Sequence, residues 1–349
     1  MSSRISSVVL MAGACSTPLD VLTCEVDQHV ECYELLGLPE SHVHAVVEVG
    51  GYVFVATRTQ GVQRYEIETG EWRATGLDHA IVKTLAADRS KTPPRVFAGV
   101  IPVAGETTDA AVFRTDNLGA SWEGSDGGLA AQQDDRFWAW PVHVDPQVPG
   151  RVWMGESYSI LRSDDSGITW DYSFGSADSF GQGVHSIATL TGPPSVVVAS
   201  ATSALGPPLV IRSEDEGSTW AVTSFRIVAL REDLYEPTLV WGASEVGVYR
   251  SRDRGHEWEL FGDGIRGVRD VVFMGDRVFA LTAEDRAFPG LPFGKLGVYA
   301  SPRFESNWRH LKVPEGVSGG TVVELSTYWT ETLMIGTEGS GVWLYHVAR

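Results

Sequence analysis

The sequence predicts an all-β protein: a seven-bladed β-propeller of four-stranded antiparallel blades, with the ring closed by the N- and C-terminal strands. An eight-bladed ring is the alternative. Three observations predict this class. The pattern Ser-x-Asp-x-Gly-x-Thr-Trp occurs intact at residues 163–170 and 213–220 and recurs in eroded form. The tryptophans that end the copies, Trp72, Trp122, Trp170, Trp220, Trp258 and Trp308, are spaced by 50, 48, 50, 38 and 50 residues, close to the stride of one four-stranded blade. The runs between them are short, rich in β-branched residues and bounded by Gly, Pro and Ser, with no segment of helical period.

Each unit reads as strand A, strand B, a loop, strand C, the octapeptide and strand D. Strand B falls at 95–99, 151–155, 196–199 and 239–242, and strand C at 112–114, 160–162, 210–212 and 248–250. The octapeptide is a turn by its own chemistry. Its Asp accepts backbone N–H bonds, its Gly takes the left-handed conformation, and its hydroxyls close the hairpin. Its Trp begins strand D, where a large amphipathic ring packs between blades. The copy at 251–258 keeps Asp253 and Gly255 but has Glu257 for Thr. The copy at 115–122 has Asn117 and Ser121, 301–308 keeps only its ends, and 66–72 is one residue short. Residues 8–38 align with 52–77 and supply strands B, C and D without A. The C-terminus supplies A (321–326), B (332–336) and C (341–346) without D. Pooled, these two partial units make a seventh blade and hide their edges. Kept apart, they make eight.

This octapeptide resembles the Asp-box (BNR) repeat of sialidase-like β-propellers, and the resemblance covers nearly the whole chain. It implies the fold and leaves the activity open, because that superfamily includes sialidases, xyloglucanases, sorting receptors and photosystem-assembly factors. The Arg-Ile-Pro signature of sialidases is missing, and seven blades exceed the six expected of them. These departures from the sialidase pattern argue against a true sialidase. It also places the boxes, as C–D turns, on the face opposite the D–A and B–C loops that frame the usual ligand site over the channel.

Composition narrows the function. The 349 residues read as one domain, 1–349, and the net charge of −18 disfavours nucleic acid and anionic membranes as partners. No apolar run is long enough to span a membrane. Cys15, Cys24 and Cys32 are the only cysteines. Their odd number and spacing point to free thiols in a reducing, cytoplasmic setting. The run 8–15 resembles a short signal with a lipobox-like end, which makes export the alternative, although Ala12 stands where such a box prefers Leu. No phosphate loop or dinucleotide fingerprint occurs, so no cofactor and no metal are expected.

Candidate site residues come from the loops opposite the boxes. Glu156, Glu245 and Glu338 follow the strand B glycine in three units. With His185 they are the catalytic candidates, since clustered carboxylates raise each other's pKa and support acid–base chemistry. Asp135, Trp138 and Trp140 lie in the densest cluster of charge and aromatics, suited to stacking on a sugar ring. His44, Lys83, Arg226 and Arg269 open strands A of four other units, and Arg58 and Tyr158 come from B–C loops. Two long insertions, 100–111 and 282–297, lie on the same face, where specificity is usually built. Each of these residues also has a plain structural reading, as packing or as solvated loop. The chain thus fits two functions. One is a central pocket for a small polar molecule or glycan, with or without glycoside hydrolase or lyase chemistry. The other is a non-catalytic scaffold for a protein partner.

Overall fold

The computed structural model describes residues 32–102, 109–129, 139–156, 159–175, 183–192, 194–201, 209–223, 225–233, 235–236, 238–262, 264–284, 295–326, 329 and 331–347. They form seven four-stranded antiparallel sheets, arranged as a propeller. In blade 1 the strands A to D are Val43–Val49, Tyr52–Thr57, Val62–Glu66 and Glu71–Gly76. Blades 2 to 6 repeat this order in the chain. Their inner strands A are Ala80–Asp88, Val142–Val144, Val184–Leu190, Ala229–Glu232 and Val268–Met274.

Blade 7 closes the ring. Its strands A, B and C are Gly320–Leu325, Thr332–Thr337 and Val342–His346, and its strand D is Cys32–Gly37 from the other end of the chain. Cys32 pairs with His346 and Leu35 with Trp343. The pooled blade is thus the one that forms, and the ring has seven blades rather than eight. The strands B and C expected within residues 8–31 lie outside the described residues. Cys32 is disulfide-bonded, which corrects the expectation of free cysteines.

The octapeptides form the C–D turns. Asp165 accepts hydrogen bonds from the backbone N–H of Ile168 (3.0 Å) and Thr169 (2.9 Å) and from Thr169 Oγ1 (2.6 Å). Ser163 Oγ donates to Asp165 (2.8 Å) and accepts from the Gly167 N–H (2.8 Å). Asp215 and Ser213 repeat the pattern in blade 4. Burial alone would raise the Asp165 carboxyl, but these hydrogen bonds carry it down to about 2. Gly217 needs its left-handed φ of 86°, and a Cβ there would also meet the Trp153 ring at 2.7 Å.

Four of the six box Trp tie their blade to the one before by a hydrogen bond. The indole N–H of Trp170 donates to Ser125 O (2.9 Å), that of Trp220 to Ser173 O (3.1 Å) and that of Trp308 to Phe261 O (3.0 Å). Trp72 does the same across the closure, to Leu36 O in the strand from the N-terminus (3.2 Å). Apolar clusters fill the space between blades. Val47 and Phe54 of blade 1, for example, share a core with Val82, Val96 and Ala98 of blade 2.

Candidate functional site

One irregularity repeats where the inner strands begin, at the end opposite the boxes. In five blades the pairing of strand A with strand B slips by one residue, and the extra residue is His44, Lys83, His185, Arg269 or Thr321. Blade 3 has the same two-against-one arrangement. There the Trp140 N–H donates to Gly155 O, and the Gly155 N–H donates to Pro141 O, both at 2.8 Å. In blade 5 the Val228 N–H reaches Ala243 O while Ala229 pairs with Ala243. A β-bulge re-aims the side chain of its extra residue. The propeller therefore presents a ring of seven equivalent positions: His44, Lys83, Trp140, His185, Val228, Arg269 and Thr321.

Neighbours in this ring touch one another from blade 7 through blade 4. Thr321 Oγ1 donates to Val43 O (2.6 Å), and His44 Nδ1 donates to Val82 O (2.8 Å). Each of these carbonyls belongs to the residue just before the bulge of the next blade. The Nδ1–H bond leaves His44 Nε2 as an acceptor, and Lys83 Nζ donates to it at 3.3 Å. Lys83 Nζ also lies 5.6 Å from the centre of the Trp140 ring. Trp140 in turn meets His185 edge-on at 5.6 Å. Beside them His42 packs against His44 at 4.7 Å, and the Arg58 N–H donates to His42 O (3.0 Å).

The electrostatics follow from this crowding. Burial, then the charge of Lys83, push the His44 imidazole down to about 3, so it is neutral. Burial, then the charge of Arg58, lower Lys83. Burial also lowers His185. The mouth thus combines neutral imidazoles, a cation and an indole that is 40% exposed.

Ion pairs tie the inner strands together elsewhere in the ring. Arg231 in blade 5 forks onto Asp270 in blade 6 (2.9 and 2.6 Å) and reaches Glu324 in blade 7 (3.2 Å). Burial, with the nearby charge of Asp270, raises Glu324 despite the attraction and hydrogen bond of Arg231. His143 of blade 3 contacts Thr189 of blade 4 (3.0 Å) and Glu232 of blade 5 (3.4 Å).

The three glutamates do not share one level. Gly155 lies opposite the Trp140–Pro141 bulge, so Glu156 is level with Thr57 and Thr337, whereas Glu245 and Glu338 come one residue later, level with Arg58. Glu156 and Glu338 are buried and Glu245 is exposed. Burial pushes the Glu156 carboxyl up to about 7, against a hydrogen bond from Ser159. Its Oε2 is buried without a hydrogen-bond partner among the described residues. Arg226 is exposed and precedes the blade 5 bulge by two residues, so it is not equivalent to Lys83 or Arg269. Arg58 is exposed, and Arg269 sits at its bulge with Nε buried and unpartnered. Asp135, Trp138 and Tyr158 lie outside the described residues, as do residues 103–108 and 285–294 of the two long insertions. A separate groove at Asp109, Arg114, Asp126 and Ile168 lies between blades 2 and 3 on their outer strands.

Sequence reasoning missed Thr321 and Val228 as members of the ring, and the Arg231–Glu324 link. The bulge leaves a trace in the sequence: the alternation of strand A slips at Val43-His44-Ala45 and Val184-His185-Ser186. Charges at Arg231, Asp270 and Glu324 within otherwise apolar inner strands are the corresponding trace of the network.

No protein-family model matches the chain, and no curated protein matches it. Solved structures do. An ancestral GH74 enzyme aligns with a TM-score of 0.50 and 16% identity over 87% of this chain and 36% of its own, so the chain spans about a third of that enzyme. YCF48 bound to D1 peptide aligns with a TM-score of 0.59 and 14% identity, over 93% of this chain and 98% of the other. The RRP9 WD40 repeats align with a TM-score of 0.63 and 11% identity, over 90% and 97%. At these identities the likeness is one of fold. It reaches enzymes and non-catalytic propellers alike.

Proposed function

We propose that the chain is an Asp-box propeller domain, not a true sialidase, that binds a small polar or carbohydrate-like ligand at the mouth ringed by the seven bulges. The observation that carries this reading is the continuous line of contacts from Thr321 through His44, Lys83 and Trp140 to His185. Five polar or aromatic side chains from five successive blades line up where packing alone would favour aliphatic residues. A half-exposed indole beside donors and acceptors suits a ring-shaped polar ligand. Glu156, protonated near neutrality, is the group best suited to donate a proton if the site is catalytic. The Cys32 disulfide favours an oxidising setting, and so the exported alternative over the cytoplasmic one.

The test is a ligand-observed NMR screen of a mixed sugar and metabolite panel against the parent chain and Trp140→Ala. Binding that weakens at least about tenfold in the variant, with unchanged thermal unfolding, supports the reading. Binding that is indifferent to Trp140 refutes it. A scaffold for a protein partner is the second reading, favoured by the end-to-end likeness to the peptide-bound propeller. It expects capture of a polypeptide with no small ligand at the mouth.

A further inference from the structure

We propose that this mouth selects an anionic ligand, a sugar acid of the hexuronate class, whose carboxylate is held by Lys83 and Arg58 while its ring lies against Trp140. The proposal rests on the reading of the mouth as a binding site and specifies what enters it.

The argument begins with how this acidic chain treats its cations. It has 27 Lys and Arg against 45 Asp and Glu, so carboxylates are plentiful. On the blade surfaces arginines are paired as that excess predicts. Arg95 binds Asp116, Arg114 binds Glu123, Arg151 binds Asp164 and Glu216, and Arg250 binds Glu259. Between blades 5 and 6 Arg231 binds Asp270 and Arg303 binds Asp233.

Other cations do without a carboxylate: Arg64, Arg89 and Arg254 bind carbonyl oxygens instead, and Arg269 keeps a buried, unpartnered Nε. Lys83 and Arg58 also stand outside the pattern, and they do so side by side at the mouth. Among the described residues neither has a carboxylate within ion-pair distance. They stand close enough for the charge of Arg58 to act on both Lys83 and His44. Lys83 finds only the lone pair of a neutral imidazole and the face of an indole. Two like charges near enough to repel, one of them half-buried, are relieved by an anion that joins them.

The neighbours fit the same ligand. His44 Nδ1 is tied to Val82 O, so the imidazole stays neutral and offers the ammonium no counter-charge. A carboxylate displacing the 3.3 Å contact to His44 gains a charge-assisted hydrogen bond in its place. Trp140, 40% exposed, offers the apolar surface on which a sugar ring stacks. The chain as a whole repels anions at long range, so selectivity must come from these short contacts.

The experiment is a ligand-observed NMR titration at pH 7 with galacturonate and glucuronate against galactose and glucose, and with sulfate as an inorganic anion. It uses the full chain and three variants, Lys83→Met, Lys83→Arg and Trp140→Ala, each first checked for unchanged thermal unfolding. The uronates are expected to bind at least about tenfold more tightly than the parent hexoses. Lys83→Met should abolish that ratio by weakening uronate binding more than hexose binding. Lys83→Arg should keep the ratio, and Trp140→Ala should weaken both sugars. Equal binding of uronate and hexose, or a preference that survives Lys83→Met, overturns the proposal while the mouth remains a sugar site. Sulfate binding as tightly as a uronate overturns the sugar-acid assignment. Failure of every sugar to bind, or binding untouched by all three variants, overturns the reading of the mouth as well.

Discussion

Replacing Glu156 by Gln should make the protein more stable in base and change its pH dependence. Glu156 is 4% exposed, and burial raises its carboxyl from 4.5 to about 7 in the folded state. Because the folded pKa is raised, the folded protein holds a proton that the unfolded chain has already released. Stability from this group is therefore greatest below pH 4.5 and is lost as pH rises to about 7. The span from 4.5 to about 7, at ~1.4 kcal/mol per pH unit, corresponds to ~3 kcal/mol. Gln carries no charge at any pH and escapes this loss. Its amide N–H groups meet a position where Oε2 has no partner, which costs about 1–2 kcal/mol at every pH. The variant should thus be slightly less stable than the parent at pH 4.5 and more stable at pH 8, with the difference moving by ~3 kcal/mol between them. Urea unfolding midpoints at pH 4.5, 6, 7 and 8 read this directly. Parallel midpoints for parent and variant across the series would refute the reasoning.

Three further outcomes follow from the geometry. His44 should remain neutral with its proton on Nδ1 down to about pH 4, visible as flat ring-nitrogen shifts in an NMR titration. Since its folded pKa is lowered from 6.5 to about 3, the parent should lose stability as pH falls below 6.5, by at most ~1.4 kcal/mol per pH unit, and His44→Gln should flatten that slope. Asp270→Asn should cost ~3 kcal/mol by calorimetry, because Asp270 binds both arms of the Arg231 fork and also accepts from Val323 N–H. Gly217→Ala should cost ~2 kcal/mol or more, while Gly275→Ala, whose Cβ meets nothing within 4 Å, should cost about 1 kcal/mol. Equal losses at the two glycines would remove packing against Trp153 from the explanation.

The boxes were legible in the sequence because their structure is local. Ser163, Asp165, Gly167 and Thr169 satisfy one another within seven residues, so the pattern of letters is the pattern of hydrogen bonds. The closure was legible for the same reason, since residues 32–37 read as a strand D lacking its own strand A. The mouth was less legible because register between two strands decides it. Alignment of strand starts named His44, Lys83, His185 and Arg269 as equivalent, and these are the residues that the slipped pairings set apart. The same alignment misjudged Arg226, because the bulge of blade 5 falls at Val228. It also grouped Glu156 with Glu245 and Glu338. A count from the nearest glycine cannot detect that the bulge at Trp140 sets Glu156 one level below the other two.

The repeated bulge explains how a regular frame carries an irregular site. A strand in register sends alternate side chains to the two faces of its sheet, and on a packed inner strand both faces demand aliphatic residues. An extra residue at the start of the strand escapes that demand, because it has no partner position to fill. Its side chain is then free to vary without cost to the blades, and here it varies from Thr321 through His44, Lys83, Trp140 and His185 to Val228 and Arg269. The Asp boxes show the opposite constraint. Where a box persists, its carboxylate and glycine close the hairpin, and the copy at 251–258, which has lost the Thr hydroxyl to Glu257, still has Asp253 accepting from the N–H groups of His256 and Glu257. Diversity on one face and uniformity on the other therefore come from one principle: the positions free of the packing and turn constraints are those on which ligand selectivity can be built.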